Sequence, residues 1–249
     1  MDISIQIYSV RDAGDLDTQL ALVRNCGFEW VETVAAQGLA AQAFAAKIAE
    51  HGLKVSSMHA SLELLESDMG SVLEACHATA CPLVVMPWLP MGERPATAAG
   101  WRSMGRRLAA LGDRVCAAGL QLGYHNHEFE FLTYGDRTAL EWIFAEANPA
   151  QLRWEADLGW VARAGADPWL WLDRLSDRLI CVHAKDIAPD GTAVGEDGWC
   201  TLGQGIVPWP ALMAYLKGRV GLVVFEHDRP TDFVATLSAS RAFMQQHLA

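Results

Sequence analysis

Two histidines and two glutamates lie within nine residues of this sequence, in the segment GYHNHEFEF at 123–131. The segment begins as an apolar strand pattern and continues into a loop. Imidazole and carboxylate groups bind divalent metal ions, and they also carry protons near neutral pH. We therefore expect this segment to belong to a metal-binding or proton-transfer site, together with the side chains that end the neighbouring strands.

Short apolar, β-rich runs alternate with amphipathic or alanine-rich runs along the 249 residues. The short runs predict eight strands, at 3–8, 29–34, 54–59, 82–88, 120–126, 152–157, 179–184 and 221–226. The longer runs predict helices at 15–26, 39–51, 63–79, 97–118, 136–147, 167–176, 208–218 and 231–247. Eight such units without a linker predict an α/β fold, a single (β/α)8 TIM-barrel domain over residues 1–249. The G-x-G at 203–205 does not follow a strand-to-helix turn, which disfavours a dinucleotide-binding fold.

In a barrel of this type, catalytic side chains lie at the carboxyl ends of the strands. Taken singly, His59 could be a structural histidine and Asp157 could cap the following turn. Several coordinating groups on one face of one barrel favour a metal site over independent coincidences. Three carboxylates and one imidazole suit Mn²⁺, Mg²⁺, Co²⁺ or Zn²⁺. The predicted strand ends carry, in order, Tyr8, Glu32, His59, Trp88, the HNHEFE segment, Asp157, His183 and Glu226.

Seven segments carry a family resemblance: QIYSVRD at 6–12, MHAS at 58–61, GYHNHEFEF at 123–131, EADLGW at 155–160, HAKD at 183–186, LGQGIVPW at 202–209 and FEHD at 225–228. In their order and spacing they resemble the sugar phosphate isomerase/epimerase family, which has a xylose-isomerase-like TIM barrel. That family is related to inosose dehydratases, hydroxypyruvate isomerases and ketose 3-epimerases. The resemblance covers almost the whole chain.

The resemblance implies one divalent metal ion, held by side chains that follow or end the fifth to eighth strands. For the fifth strand it leaves two glutamates, Glu128 and Glu130, and favours Glu130 because this residue follows Phe129 at the strand exit. The ligand set that the resemblance implies is Glu130, Asp157, His183 and Glu226. The expected proton-transfer residues are Glu130, Glu226 and His127. The expected substrate-binding residues are His59, His125, Lys185, Trp88, Glu32 and Tyr8.

The reaction that the resemblance implies is isomerisation or epimerisation of a sugar, sugar phosphate or polyol. A base would remove the proton next to a carbonyl, through a metal-stabilised enediolate. Dehydration of a keto-inositol or elimination on a 3-keto sugar would use the same site and stays open, as does a non-catalytic sugar-binding barrel. Only Lys185 and Arg229 are candidate phosphate ligands, which favours an unphosphorylated substrate.

The composition limits the partners of this chain. The net charge of −11 opposes nucleic-acid binding, and with it an endonuclease acting on abasic DNA. No apolar run approaches the roughly 20 residues of a membrane helix, and residues 1–10 lack a secretory signal pattern. We expect a cytoplasmic protein that binds neither nucleic acid nor membrane, with a homodimer left open. The six cysteines lack C-x-x-C spacing and are expected to be free thiols.

Overall fold

The computed structural model describes residues 1–248. Within this range, eight parallel strands close into a barrel in which the last strand pairs with the first. The predicted (β/α)8 TIM-barrel fold is therefore confirmed. The strands are β1 (Asp2–Gln6), β2 (Trp30–Val34), β3 (Lys54–His59), β4 (Leu83–Met86), β5 (Gln121–His125), β6 (Arg153–Asp157), β7 (Leu179–Ala184) and β8 (Leu222–Phe225).

Ten α-helices surround the barrel in the described part of the chain. They are α1 (Leu16–Asn25), α2 (Ala41–Glu50), α3 (Leu62–Ser67), α4 (Met69–Ala78), α5 (Ala98–Ala117), α6 (Ala139–Ala145), α7 (Leu158–Arg163), α8 (Pro168–Arg174), α9 (Trp209–Leu216) and α10 (Phe233–Leu248). None of the helices described is long and apolar enough to cross a membrane. All six cysteines, which lie within residues 1–248, are free thiols, as expected.

The helices differ from the sequence prediction in two places. The helix predicted over 63–79 is broken at Asp68, whose backbone leaves the helical region and whose side chain accepts a hydrogen bond from the Ser71 backbone N–H to begin α4. A short helix, α7, follows β6 directly and was not predicted. It begins because an Asp157 carboxylate oxygen accepts a hydrogen bond from the Trp160 backbone N–H at 2.8 Å.

The interior of the barrel is polar near the carboxyl ends of its strands. The strand register places Gln6 beside Glu32, Glu32 beside Ser57, and Asp157 beside His183. All of these side chains are buried. Because buried polar groups need hydrogen-bond partners or ions, this end of the barrel is organised by electrostatic contacts rather than by apolar packing alone.

Candidate active site

Four buried side chains converge at the carboxyl ends of β5 to β8. Each offers one nitrogen or oxygen atom, and these atoms lie within 4.8 Å of one another. His125 ends β5, Asp157 ends β6, His183 lies one residue before the end of β7, and Glu226 follows β8. We call these four residues the upper cluster. It contains three of the four predicted metal ligands, with His125 in place of Glu130.

Asp157 is the member of the upper cluster that is held most tightly by its neighbours. The Asn126 side chain accepts a hydrogen bond from the Asp157 N–H and donates one to the Asp157 carbonyl oxygen. Its Oδ1 caps α7. Its Oδ2 is buried and has no hydrogen-bond partner among residues 1–248, and lies 3.7 Å from His125 Nε2. A buried carboxylate oxygen without a hydrogen bond, beside two imidazoles and a second carboxylate, fits a site for a divalent cation.

The structure places Glu130 away from the upper cluster. The three-residue turn Phe129–Phe131 folds back, so that Glu130 Oε1 accepts a hydrogen bond from the Tyr124 hydroxyl at 2.7 Å and Oε2 accepts one from the His127 backbone N–H at 2.8 Å. Neither candidate metal group found among the described residues includes Glu130. Burial raises the pKa of Glu130 to about 8. The alternative ligand, Glu128, is exposed.

A pocket of about 410 Å³ opens over the upper cluster. Its polar lining consists of His59, His125, His127, Lys185, Glu226 and Asp228, and its mouth is lined by Tyr8, Val34, Pro87 and Trp88. Five of the six predicted substrate-binding residues therefore line the pocket. The sixth, Glu32, is fully buried beneath it, because β2 continues for two residues to Val34 at the rim.

Lys185 is a buried cation held among three carboxylates. Its Nζ lies 2.6 Å from Asp228 Oδ1, 3.2 Å from Glu226 Oε2 and 3.8 Å from Asp157 Oδ2. Burial opposes the charged form, but these carboxylates outweigh burial and raise the pKa of Lys185. Gly159 leaves room for it, since a Cβ there would lie 2.6 Å from the Lys185 Cβ.

Two pocket residues are in proton-accepting forms at neutral pH. Burial lowers the pKa of His127 well below its usual value, so its ring is neutral, and its buried Nδ1 has no hydrogen-bond partner among the residues described. Burial alone would raise the pKa of Glu226, but Lys185 and His183 outweigh burial and hold this pKa well below its usual range. Glu226 is therefore an ionised carboxylate at the pocket surface.

Sequence reasoning missed two residues of this region. Glu155 lies beneath the upper cluster. It stands two residues before Asp157 on the same strand, and because alternate residues of a strand face the same side, this spacing could have placed it in the site. Asp228 pairs with Lys185 at 2.6 Å, and it closes the FEHD segment that contains Glu226. Because Asp228 follows the predicted ligand Glu226 by only two residues, the sequence could have placed it at the same end of the barrel.

The tryptophans near the site have different roles. Trp88 is 44% exposed at the pocket mouth. Trp160 and Trp199 instead enclose Lys185, whose Nζ lies 5.1 Å and 4.9 Å from the two ring centroids. Trp209 is buried and donates a hydrogen bond from its indole N–H to the Lys185 carbonyl oxygen. Of these four, only Trp88 lines the pocket as described within residues 1–248.

Comparison with known proteins agrees with this fold. The chain belongs to the xylose isomerase-like TIM barrel family, whose model matches residues 20–247. A sugar phosphate isomerase/epimerase from Parabacteroides distasonis has a similar structure, with a TM-score of 0.78, 18% identity, and coverage of 98% of this chain and 93% of that one. The IolI protein, solved with a zinc atom, has a TM-score of 0.72 and 15% identity, and the alignment covers 100% of this chain and 98% of that chain.

A curated sequence relative is the inosose dehydratase of Lacticaseibacillus casei, which is 29% identical over 89 residues. This match covers 35% of the present chain and spans only 28% of the length of the dehydratase. The family thus includes enzymes that isomerise, epimerise or dehydrate their substrates.

Proposed function

We propose that this protein is a divalent-metal-dependent isomerase or epimerase of an unphosphorylated sugar or polyol, which acts by removing a proton next to a carbonyl group. The observation that carries this proposal is the buried Asp157 Oδ2 without a hydrogen bond, within the upper cluster and beneath the pocket. The family membership and the zinc atom in the IolI relative support it.

The ion would be held by the upper cluster: His125, Asp157, His183 and Glu226. This set of two carboxylates and two imidazoles suits Zn²⁺, Mn²⁺ or Co²⁺, and Mg²⁺ less well. A divalent ion bound there would polarise a substrate carbonyl oxygen and so make the adjacent C–H proton easier to remove. We assign His125 to the ligand position that the family resemblance gives to Glu130.

Glu226 and His127 are the residues that we assign to proton transfer. Glu226 is ionised and faces the pocket, so it can accept the proton from the substrate carbon. His127 is neutral and lines the same pocket, so it can accept a proton and then return it. Glu130 contacts the backbone of His127 and we assign it to holding this segment in place.

The charges around Lys185 favour a substrate without a phosphate group. A phosphate that approached Lys185 would meet the carboxylates of Glu226 and Asp228, which already neutralise its ammonium group. Hydroxyl groups of a sugar can instead accept a hydrogen bond from Lys185 and donate hydrogen bonds to the two carboxylates. Tyr8 and Trp88 are both 44% exposed at the mouth, where their rings can pack against an apolar face of a sugar.

The second candidate function is dehydration of a keto-polyol at the same site. The 89-residue similarity to an inosose dehydratase favours it. The first step, proton removal by Glu226, would be unchanged, and the proton that Glu226 has taken would then pass to the departing hydroxyl, which leaves as water. The two functions therefore differ only in the step after proton removal.

The test is solvent deuterium exchange on a panel of ketoses and keto-polyols, with the protein loaded with metal and then treated with a chelator. We expect deuterium at the carbon next to the carbonyl only with the metal-loaded protein. In a parallel reaction in ordinary water, an isomeric product of unchanged mass would identify an isomerase or epimerase, and a product lighter by one water would identify a dehydratase. Turnover that persists at the native rate after the chelator has removed the metal would contradict the proposal.

A further inference from the structure

A single carboxylate oxygen beneath the upper cluster is surrounded by three imidazole rings. Glu155 Oε2 lies 2.8 Å from His59 Nε2, 3.1 Å from His125 Nδ1 and 3.2 Å from His183 Nε2. Glu155 is fully buried, and its other oxygen accepts a hydrogen bond from the Cys181 thiol. An ionised carboxylate can only accept hydrogen bonds, so each of these ring nitrogens must carry a proton when it bonds to Glu155.

Two of these imidazoles belong to the upper cluster, and each has its two nitrogens in different surroundings. In His125, Nδ1 faces Glu155 while Nε2 faces Asp157 Oδ2 at 3.7 Å. In His183, Nε2 lies 2.6 Å from Glu32 Oε1 and 3.2 Å from Glu155, while Nδ1 faces Glu226 at 3.1 Å. We call Glu155 and Glu32 the lower carboxylates. They contact one nitrogen of each ring, and the other nitrogen points into the upper cluster.

We propose that Glu155, together with Glu32, is a positioning residue that keeps a proton on His125 Nδ1 and on His183 Nε2. The opposite nitrogens, His125 Nε2 and His183 Nδ1, are then the ones that would bind a metal ion. His183 Nδ1 shares a proton with Glu226 at 3.1 Å, and an ion would take the place of that proton. This inference rests on the proposed function, because it assumes that the upper cluster binds a divalent ion.

Glu32 is itself held in place, as a positioning residue must be. Gln6 Nε2 donates to its Oε1 at 2.9 Å, and the Ser57 hydroxyl donates to its Oε2 at 2.5 Å. His59 bridges the two lower carboxylates, with Nε2 at 2.9 Å from Glu32 and 2.8 Å from Glu155. The network therefore fixes the orientation of both rings from below.

The competing explanation is a second cation site formed by His59, His125, Glu155 and His183. Two ions present at once would need His125 and His183 to bind through both ring nitrogens, which requires loss of both ring protons. Both oxygens of Glu155 already accept hydrogen bonds, whereas Asp157 Oδ2 in the upper cluster has no hydrogen-bond partner among residues 1–248. We therefore assign Glu155 as a hydrogen-bond acceptor and not as a ligand.

The test is the affinity for Zn²⁺, measured by competition with a chelator, in the native protein, in Glu155→Gln and in Glu130→Gln. The two glutamates are both fully buried, but Glu130 contacts Tyr124 and the His127 backbone and no member of the upper cluster as described here. We expect Glu155→Gln to bind Zn²⁺ more weakly by about 10- to 100-fold, as is typical for loss of a partner of a ligand. Glu130→Gln should stay close to native.

A second readout is the imidazole nitrogen NMR spectrum of the zinc-loaded native protein, which needs no variant to fold. We expect protons on His125 Nδ1 and His183 Nε2. Glu32 contacts His183 but not His125, so Glu32→Gln should disturb the ring proton of His183 strongly and that of His125 only weakly. A merely structural role for Glu155 would lower the stability of the metal-free protein without changing the ring protonation of the zinc form.

Four results would overturn the inference. Native-like zinc affinity in a folded Glu155→Gln, or ring protons on the opposite nitrogens, would show that Glu155 does not position the rings. Two zinc ions in the native protein and one in Glu155→Gln would make Glu155 a ligand. A native protein that binds no divalent ion would overturn the proposed metal site, and this inference with it. The other results would overturn the role of Glu155 but leave the proposed metal site standing, so the two failures can be told apart.

Discussion

His125 and Glu130 lie five residues apart but differ in what surrounds their side chains. His125 Nε2 faces the unpaired oxygen of Asp157, whereas both oxygens of Glu130 already accept hydrogen bonds. A carboxylate whose oxygens are already satisfied by the protein gains little by binding an ion. At the scale of single residues, the local hydrogen bonds therefore favour His125 over Glu130 as a ligand of the proposed ion.

The first prediction tests this choice with three variants. His125→Gln should lose stoichiometric binding of a divalent ion, because it removes a nitrogen of the upper cluster. Glu130→Gln and Glu128→Gln should retain binding, since the first is satisfied elsewhere and the second is exposed. Elemental analysis after dialysis measures the occupancy. Loss of metal from Glu130→Gln with full occupancy in His125→Gln would restore the glutamate ligand that the sequence resemblance implied.

The second prediction concerns Glu226 as the base. Glu226→Gln keeps the shape and one coordinating oxygen but removes the basic carboxylate, so proton removal should slow by about 10²- to 10⁴-fold. The measurement is deuterium incorporation into a substrate that the native protein labels, with each variant saturated with metal. Near-native exchange would move the base to His127 and leave Glu226 as a ligand only.

The sequence predicted Asp157, His183 and Glu226 because each ends or follows a strand that an apolar run marks clearly. It could not place Glu130, because the turn at Phe129–Phe131 and its hydrogen bond from Tyr124 depend on packing against β5. Glu155 was missed for a related reason. Its partners come from β3, β5 and β7, which are distant in sequence and meet only when the barrel closes.

At the scale of elements, the barrel holds its site because the helices pack closely on the strands and loops behind it. Helix α5 carries a glycine at a point of close approach, Gly112, where a Cβ would lie 1.9 Å from the Gln151 backbone oxygen. This oxygen belongs to the segment that leads into β6, the strand that ends in Asp157. The alternation of apolar runs predicted α5 and β6. It could not predict this contact, because the sequence around Gly112 does not show which distant backbone segment packs against it.

The third prediction compares two helical glycines. Gly112→Ala should lower the free energy of unfolding by about 1 to 3 kcal/mol, because the backbone of α5 or of residue 151 must shift. Gly70→Ala, in α4, is the matched control, since its Cβ would lie no closer than 3.8 Å to the nearest atom described. It should be neutral or slightly stabilising. Urea denaturation measures both, and equal effects would argue against the close approach.

At the scale of the whole molecule, one ion would connect four strands of the barrel. The upper cluster takes one residue each from the ends of β5, β6, β7 and β8, so an ion bound there links half of the barrel wall. It would also offset negative charge in a protein whose net charge is −11. Because the four residues come together only in the folded barrel, ion binding should stabilise the fold.

The fourth prediction is a metal-dependent rise in thermal stability. At a free ion concentration of 100 times Kd, binding to the folded state alone adds about 2.7 kcal/mol. For a chain of this length, that corresponds to a rise of several degrees in Tm. His125→Gln should show no such rise. An equal rise in native protein and variant would mean that the stabilising ion binds elsewhere.

The most direct test of the metal site is anomalous X-ray diffraction from crystals grown with Mn²⁺ or Zn²⁺. We predict one strong anomalous peak per chain, within coordination distance of His125, Asp157, His183 and Glu226, with Glu155 outside that distance and still hydrogen bonded to the rings of His125 and His183. A peak ligated by Glu130, a peak centred between His59 and Glu155, or the absence of a peak at saturating metal would contradict this account.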